Sequence, residues 1–189
     1  MLEELKQRVC HANRQLTQHH LVIYDWGNVS GCDRQTDAIV IKPSGVTPDA
    51  LTPQSMVVVS LADGTVIEGD LRPSSDTPTH LALYRAWPRI GGITHTHSPS
   101  ATAWAQAGRD IPPLGTTHAD FAFGPVPCTR FMTDHQIAAD YETNTGRLII
   151  ERFADLDPLQ FPAVLVAGHG PFTWGESPEK ALYNAVVLE

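Results

Sequence analysis

The chain has 189 residues, 42% of them hydrophobic and 18% charged, the composition of a globular domain able to bury roughly 70% of its unfolded surface. Its formal net charge of −8 excludes the broad basic face that nucleic acid or an anionic membrane requires, and leaves small anions held by local donors. No segment approaches the roughly 18 apolar residues of a membrane span, and the N-terminus lacks a signal-peptide core, so a cytoplasmic location is expected. Three widely spaced cysteines, Cys10, Cys32 and Cys128, then read as free thiols, and the sequon Asn28-Val29-Ser30 as unglycosylated.

Leu2, Leu5, Val9, Ala12 and Leu16 recur at helical spacing and predict an amphipathic first helix. Leu21–Tyr24 and Ala38–Ile41 read as strands, separated by the small-residue segment 26–31. Met56–Leu61 and Thr65–Glu68 flank Asp63-Gly64, a hairpin signal. Three helices are expected to start on a hydroxyl cap followed by proline: Thr77-Pro78, Ser98-Pro99 and Ser177-Pro178. The second of these should stop near Gly108. A further helix is expected over Asp134–Thr145, and a buried strand over Ala163–Ala167 running into Gly168-His169-Gly170. Interleaved helices and strands with a hairpin in the first half predict a three-layer α/β/α domain around a mixed, largely antiparallel sheet. The last helix, Pro178–Glu189, is still apolar where it ends and carries no cap, so the chain reads as one that continues.

Chemistry concentrates in Gly92-Ile93-Thr94-His95-Thr96-His97. In a strand, side chains alternate faces, so His95 and His97 point the same way and can close on one Zn²⁺ or similar ion. Such a pair alone is more often two half-buried strand histidines. His169, between two glycines at a strand end, supplies a third imidazole, and Asp76, just before a helix, an acid. A His₃ or His₃Asp set leaves a position open for substrate, as catalytic zinc requires. His11, His19, His20, His80 and His135 read as surface or helix residues. His118 lies in Gly115-Thr116-Thr117-His118-Ala119-Asp120, where Asp120 is a candidate proton-transfer group beside a metal, although a lone aspartate there is more often a cap or turn residue.

Two clusters suit a phosphate. Lys42-Pro43-Ser44-Gly45 offers a cation, a hydroxyl and a glycine amide, and Pro73-Ser74-Ser75-Asp76 offers hydroxyls and amides ahead of a helix. Gly27-Asn28 adds donors. Each cluster alone is more often an ordinary turn; together beside a metal candidate they are a less ordinary pattern, suited to a phosphate.

Five separated motifs, in order, resemble the L-ribulose-5-phosphate 4-epimerase family of the class II aldolase/adducin superfamily. They are Trp26-Gly27-Asn28-Val29-Ser30, Ile41-Lys42-Pro43-Ser44-Gly45, Pro73-Ser74-Ser75-Asp76-Thr77-Pro78-Thr79-His80, Thr94-His95-Thr96-His97 and Gly168-His169-Gly170-Pro171. The resemblance runs over residues 1–189 as one domain of that type. It implies one Zn²⁺ per subunit on His95, His97 and His169, with Asp76 as a ligand or close neighbour. Substrate contacts are implied from Gly27, Asn28, Lys42, Ser44, Gly45, Ser74 and Ser75, and a catalytic proton from Asp120. It implies a homotetramer with active sites at its interfaces. The implied reaction inverts carbon 4 of L-ribulose 5-phosphate by retro-aldol cleavage of the C3–C4 bond and re-addition, with zinc as Lewis acid.

Aldolases of the superfamily are expected to carry a glutamate at position 76, so the shorter Asp76 fits the epimerase. Family members continue into a C-terminal tail with a tyrosine that acts as acid/base across the interface. That tail is expected to be missing here, and Tyr183 lies in the wrong segment to replace its tyrosine. Two other readings stand beside the epimerase: a class II sugar-phosphate aldolase, and a truncated or non-catalytic adducin-like scaffold.

Overall fold

Strands β2 (Ala38–Ile41) and β3 (Val57–Ser60) consist almost wholly of small or β-branched residues, and alternate side chains go to opposite cores. Ile39, Ile41, Val57 and Val59 face one apolar cluster, while Ala38, Val40 and Val58 face another. A sheet apolar on both faces has to be covered on both. Helix α1 (Leu2–Gln18) covers one face with Leu5, Val9, Ala12 and Leu16, joined by Leu182 and Ala185 of α7 (Pro178–Leu188). The other face is covered by α2 (Thr77–Ala86) and α6 (Tyr141–Arg152), through Leu81, Leu83, Leu148 and Ile149. The result is the expected α/β/α layering, in a computed structural model that describes residues 2–189.

The remaining strands are β1 (Gly27–Asp33), β4 (Val66–Glu68), β5 (Gly92–Thr96), β6 (Ala163–Val166) and β7 (Gly170–Gly175). The seven-stranded order is β4-β3-β2-β1-β5-β7-β6, and every ladder is antiparallel. The one parallel pairing among the described residues is the isolated bridge Cys128–Leu165. Helix α3 (Pro99–Gln106) lies over β6 and β7, while α4 (Thr116–Phe121) and α5 (Asp134–Ala139) are short helices of six residues each.

The structure corrects several sequence expectations. Leu21–Tyr24 is not a strand; the strand is the small-residue segment expected to separate two strands. Gly31 shows why: a Cβ there would stand 2.7 Å from the Leu5 side chain and 2.8 Å from Pro178, so small residues let two helices press onto β1. Of the three expected hydroxyl caps only Ser177 caps, accepting from Lys180 N; Thr77 is already helical and Ser98 makes no cap bond. Strand β7, which was not expected, pairs with β5 on one side and with the edge strand β6 on the other.

The expected helix Asp134–Thr145 is two helices. Thr133 caps α5 in a reciprocal box with Gln136, and Asp140 breaks the run to cap α6 through Thr143 N. That break turns the first residues of α6 toward the site described next.

Candidate active site

Strands β1, β5 and β7 lie side by side, and their register puts Asn28 opposite His95 and His95 opposite Phe172. The His95 ring stacks on Phe172 at 4.1 Å between centroids. His97 follows the last residue of β5, and His169 immediately precedes β7. The three imidazoles therefore meet at one end of neighbouring strands. His97 Nε2 lies 3.1 Å from His95 Nε2 and 3.2 Å from His169 Nε2. A tetrahedral ion about 2.0–2.1 Å from each nitrogen needs those nitrogens roughly 3.3 Å apart, so the trio fits a divalent metal. His95 Nδ1 sits 2.9 Å from the Pro171 carbonyl, an acceptor that puts the proton on Nδ1 and leaves the Nε2 lone pair free.

Two glycines make this approach possible. Gly27 has φ +136°, and a Cβ there would stand 3.0 Å from the His95 carbonyl and 2.5 Å from Val22 Cγ1. A Cβ on Gly170 would come within 2.8 Å of the Thr96 carbonyl, prising β7 from β5 beside His169.

Burial, reinforced by the neighbouring His95 and His97 charges, pushes His169 down to about 3, and burial also lowers His97. Both rings are thus neutral at physiological pH, the form that binds metal. Asp76 shares their cavity, but its carboxylate is outside the converging trio and Oδ2 accepts from Asn28 Nδ2 at 2.7 Å. Burial would raise its pKa; His95, His80 and the Asn28 amide together outweigh that and lower it.

The two phosphate-type loops are stitched together by backbone hydrogen bonds. Ser44 N donates to the Arg72 carbonyl at 2.9 Å, Ser74 N donates to the Lys42 carbonyl at 3.0 Å, and Pro43 bridges Pro73. Lys42 is 3% exposed, with burial lowering its pKa, and its Nζ donates to the Asp25 and Pro43 carbonyls at 3.3 and 3.2 Å. A cavity of about 290 Å³ is lined by Gly27, Asn28, Lys42, Ser44, Gly45, Ser74 and Ser75, and by Asp76 and the three histidines. All the expected substrate and metal residues meet there.

Asp120 does not. It is exposed on α4 and lines a different hollow of about 520 Å³ with Trp174, Lys180 and Tyr183. Within one chain Asp120 is not brought to the three histidines, because α4 packs against α7, away from the ends of β1 and β5. His118 is accounted for structurally, with Nε2 2.7 Å from the Gly124 carbonyl. His80 is not a surface residue. It is fully buried, with Nδ1 2.7 Å from Ser30 Oγ, which is itself 2.8 Å from Tyr84 Oη.

The cavity also holds residues that sequence reasoning missed: Asp25, Trp26, Tyr141 and Glu142. Tyr141 and Glu142 open α6, and the available signal was Asp140, a cap residue inside an otherwise unbroken helical pattern.

One buried and two half-buried imidazoles that could hold a metal thus lie beside paired serine loops on an antiparallel α/β/α scaffold. Residues 7–189 match the model of the class II aldolase and adducin N-terminal domain, and the chain belongs to that family. It is 52% identical over 188 residues to a protein of Salmonella paratyphi C (strain RKS4594) named L-ribulose-5-phosphate 4-epimerase UlaF, covering 100% of this chain and 82% of that protein. Among solved structures it is similar to an L-fuculose 1-phosphate aldolase, with a TM-score of 0.81 at 24% identity over 98% of this chain and 81% of that one. It is also similar to YgbL of Escherichia coli, described as a putative aldolase/epimerase/decarboxylase, with a TM-score of 0.74 at 27% identity over 97% and 84% of the two chains.

Proposed function

We propose that this chain interconverts L-ribulose 5-phosphate and D-xylulose 5-phosphate by breaking and remaking the C3–C4 bond. One observation carries the reading: three imidazole nitrogens at metal-binding separation share a single cavity with two stitched serine loops and a buried lysine. The 52% identity to a named epimerase supports the same assignment. The hydrogen on carbon 4 is not acidic, so direct deprotonation there is a poor route; cleaving the adjacent bond inverts the centre without it.

The proposed ion is Zn²⁺, one per subunit on His95, His97 and His169, and when bound it supplies Lewis-acid stabilisation of negative charge on the substrate's oxygens. The chain's own groups do the rest. Lys42, the Ser44, Ser74 and Ser75 hydroxyls and the Gly45 amide grip the phosphate, and Asn28 and the Gly27 backbone orient the sugar. Asp76, held by Asn28, is a ligand or close neighbour of the ion. On cleavage the carbon-4 hydroxyl gives up its proton as the carbon becomes an aldehyde, and Asp120 is the proposed acceptor that returns it after the aldehyde has rotated. The phosphate grip keeps that fragment in place between the two steps.

Asp120 takes this role in the cavity of a second copy, in a homotetramer. Its exposed position supports this, as do Leu114 (85% exposed) and Phe123 (80% exposed) flanking α4; large apolar side chains left in the open mark a covered surface. A cytoplasmic location accords with the absence, among the described residues, of a helix long and apolar enough to cross a membrane.

The test is incubation of the zinc-loaded protein with L-ribulose 5-phosphate. Accumulation of D-xylulose 5-phosphate without free glycolaldehyde phosphate is expected. Free fragments in quantity would make it an aldolase, and no bound divalent ion would leave a scaffold.

A further inference from the structure

An imidazole that offers Nε2 to an ion carries its proton on Nδ1, and that proton needs an acceptor. The three histidines differ in what they find. His95 has the Pro171 carbonyl, a group that can only accept. His169 has a side chain instead: its Nδ1 lies 3.1 Å from Tyr141 Oη. Among the described residues, no hydrogen bond is made by His97 Nδ1.

His169 is also less constrained by its backbone than His95. It precedes β7 and follows Gly168, whose φ is +76°, whereas His95 is locked inside β5 and stacked on Phe172. The Tyr141 side is firm. Asp140 caps α6 through Thr143 N at 3.3 Å, and Thr145 Oγ1 donates to the Tyr141 carbonyl at 2.9 Å. A ligand on a glycine-flanked loop is thus steadied by the first residue of a helix that Asp140 starts at that point.

We infer that Tyr141 is a positioning residue of the metal centre: its hydroxyl oxygen accepts the Nδ1 proton of His169 and holds that ring with Nε2 turned toward the ion. This rests on the reading of the histidine trio as a metal site. A hydroxyl, unlike a carbonyl, can also donate. Without metal, Tyr141 can therefore support the opposite tautomer of His169, with the proton on Nε2, and loading requires the hydroxyl to reverse. With metal bound, the Tyr141 proton is left to point elsewhere within the cavity that its side chain lines.

The test measures Zn²⁺ affinity by chelator competition in the full chain and in Tyr141→Phe, which keeps the ring and removes only the oxygen. An affinity lower by about 10–100-fold is expected, the usual effect of losing such a partner, with faster release of metal to the chelator. Affinity within twofold of the parent overturns the inference. So does a loss of turnover at unchanged affinity, because the hydroxyl then acts on substrate. Should Tyr141→Phe fail to fold, ¹⁵N spectra of the unmutated zinc-loaded protein decide. A His169 Nδ1 proton in slow exchange with solvent supports the hydrogen bond, and an unprotonated Nδ1 refutes it. If the parent binds no Zn²⁺, the metal reading itself fails, a result distinct from a tightly binding Tyr141→Phe.

Discussion

Two hollows of this molecule are built by different means. The histidine cavity lies at the ends of three adjacent strands, and its walls are buried polar groups that hold one another: Asn28 on Ser74 and Asp76, Lys42 on two carbonyls, His95 on Pro171. The Asp120 hollow is larger and lies between α4, α7, the end of β7 and the loop at 158–162, where Lys180 Nζ lies 4.1 Å from the Tyr183 ring centroid and Asp120 is exposed. Buried, mutually satisfied polar groups fix geometry, and geometry is what a reacting centre needs. Size does not mark the site. In the proposed function the smaller hollow carries the chemistry, and the larger one carries Asp120, whose proposed role needs a second copy.

His97→Asn strikes the first hollow hardest. Removing one of three ligands should abolish stoichiometric zinc by metal analysis and reduce kcat by about 10³-fold or more, the several kcal/mol that a Lewis acid supplies. Asp120→Asn strikes the second. It should lower kcat by about 10²–10³-fold, as loss of a proton-transfer group does, while zinc content stays at the parental level. The two variants mixed as unfolded chains and refolded together provide the sharper test. If Asp120 serves a neighbouring cavity, some sites in mixed oligomers carry both intact residues and activity returns in part. No recovery would mean that the two hollows do not meet across an interface.

Lys42→Met is smaller in effect and changes the outcome as well as the rate. Losing one charged hydrogen bond to the phosphate should reduce kcat/KM by about 10–100-fold. The weakened grip should also release glycolaldehyde phosphate, detectable by trapping the aldehyde. Loss of rate with no free fragment would separate phosphate binding from fragment retention.

The sequence made the first hollow legible and the second obscure, for physical reasons. Residues in the histidine cavity announce themselves because unusual side chains sit where backbone rules are strict: imidazoles at alternate positions of a β-branched run, glycines where a Cβ clashes, serines ahead of a helix. Strand β1 was hidden because its small residues serve the helices packed on it and supply no apolar pattern. Tyr141 and Glu142 were hidden because one aspartate decides between a continuous helix and two, and either reading satisfies the periodicity. Asp120 looked like part of the site because its segment offers a carboxylate beside a histidine; nothing in that local sequence says that α4 packs against α7 instead.

His80 separates stability from catalysis in this comparison, because it is buried behind the histidine cavity and outside both hollows. Burial pushes it down to about 3 from an ordinary 6.5, and Ser30 Oγ meets its Nδ1. Between those values the unfolded chain takes up a proton that the folded chain refuses, so this contribution is complete above about pH 6.5 and is lost as pH falls toward 3. The slope is about tenfold in the folding equilibrium per pH unit for one such group. His169 adds a parallel contribution in metal-free protein, because it too is pushed down to about 3. Denaturant midpoints of metal-free protein should therefore fall from pH 6.5 to 4, and His80→Gln should flatten that slope whatever its effect at pH 7. Zinc-loaded protein should descend more steeply, since acid there also displaces the ion. Equal slopes with and without zinc would show that the metal does not depend on the imidazoles that acid protonates, and the histidine cavity would lose its distinction from the other.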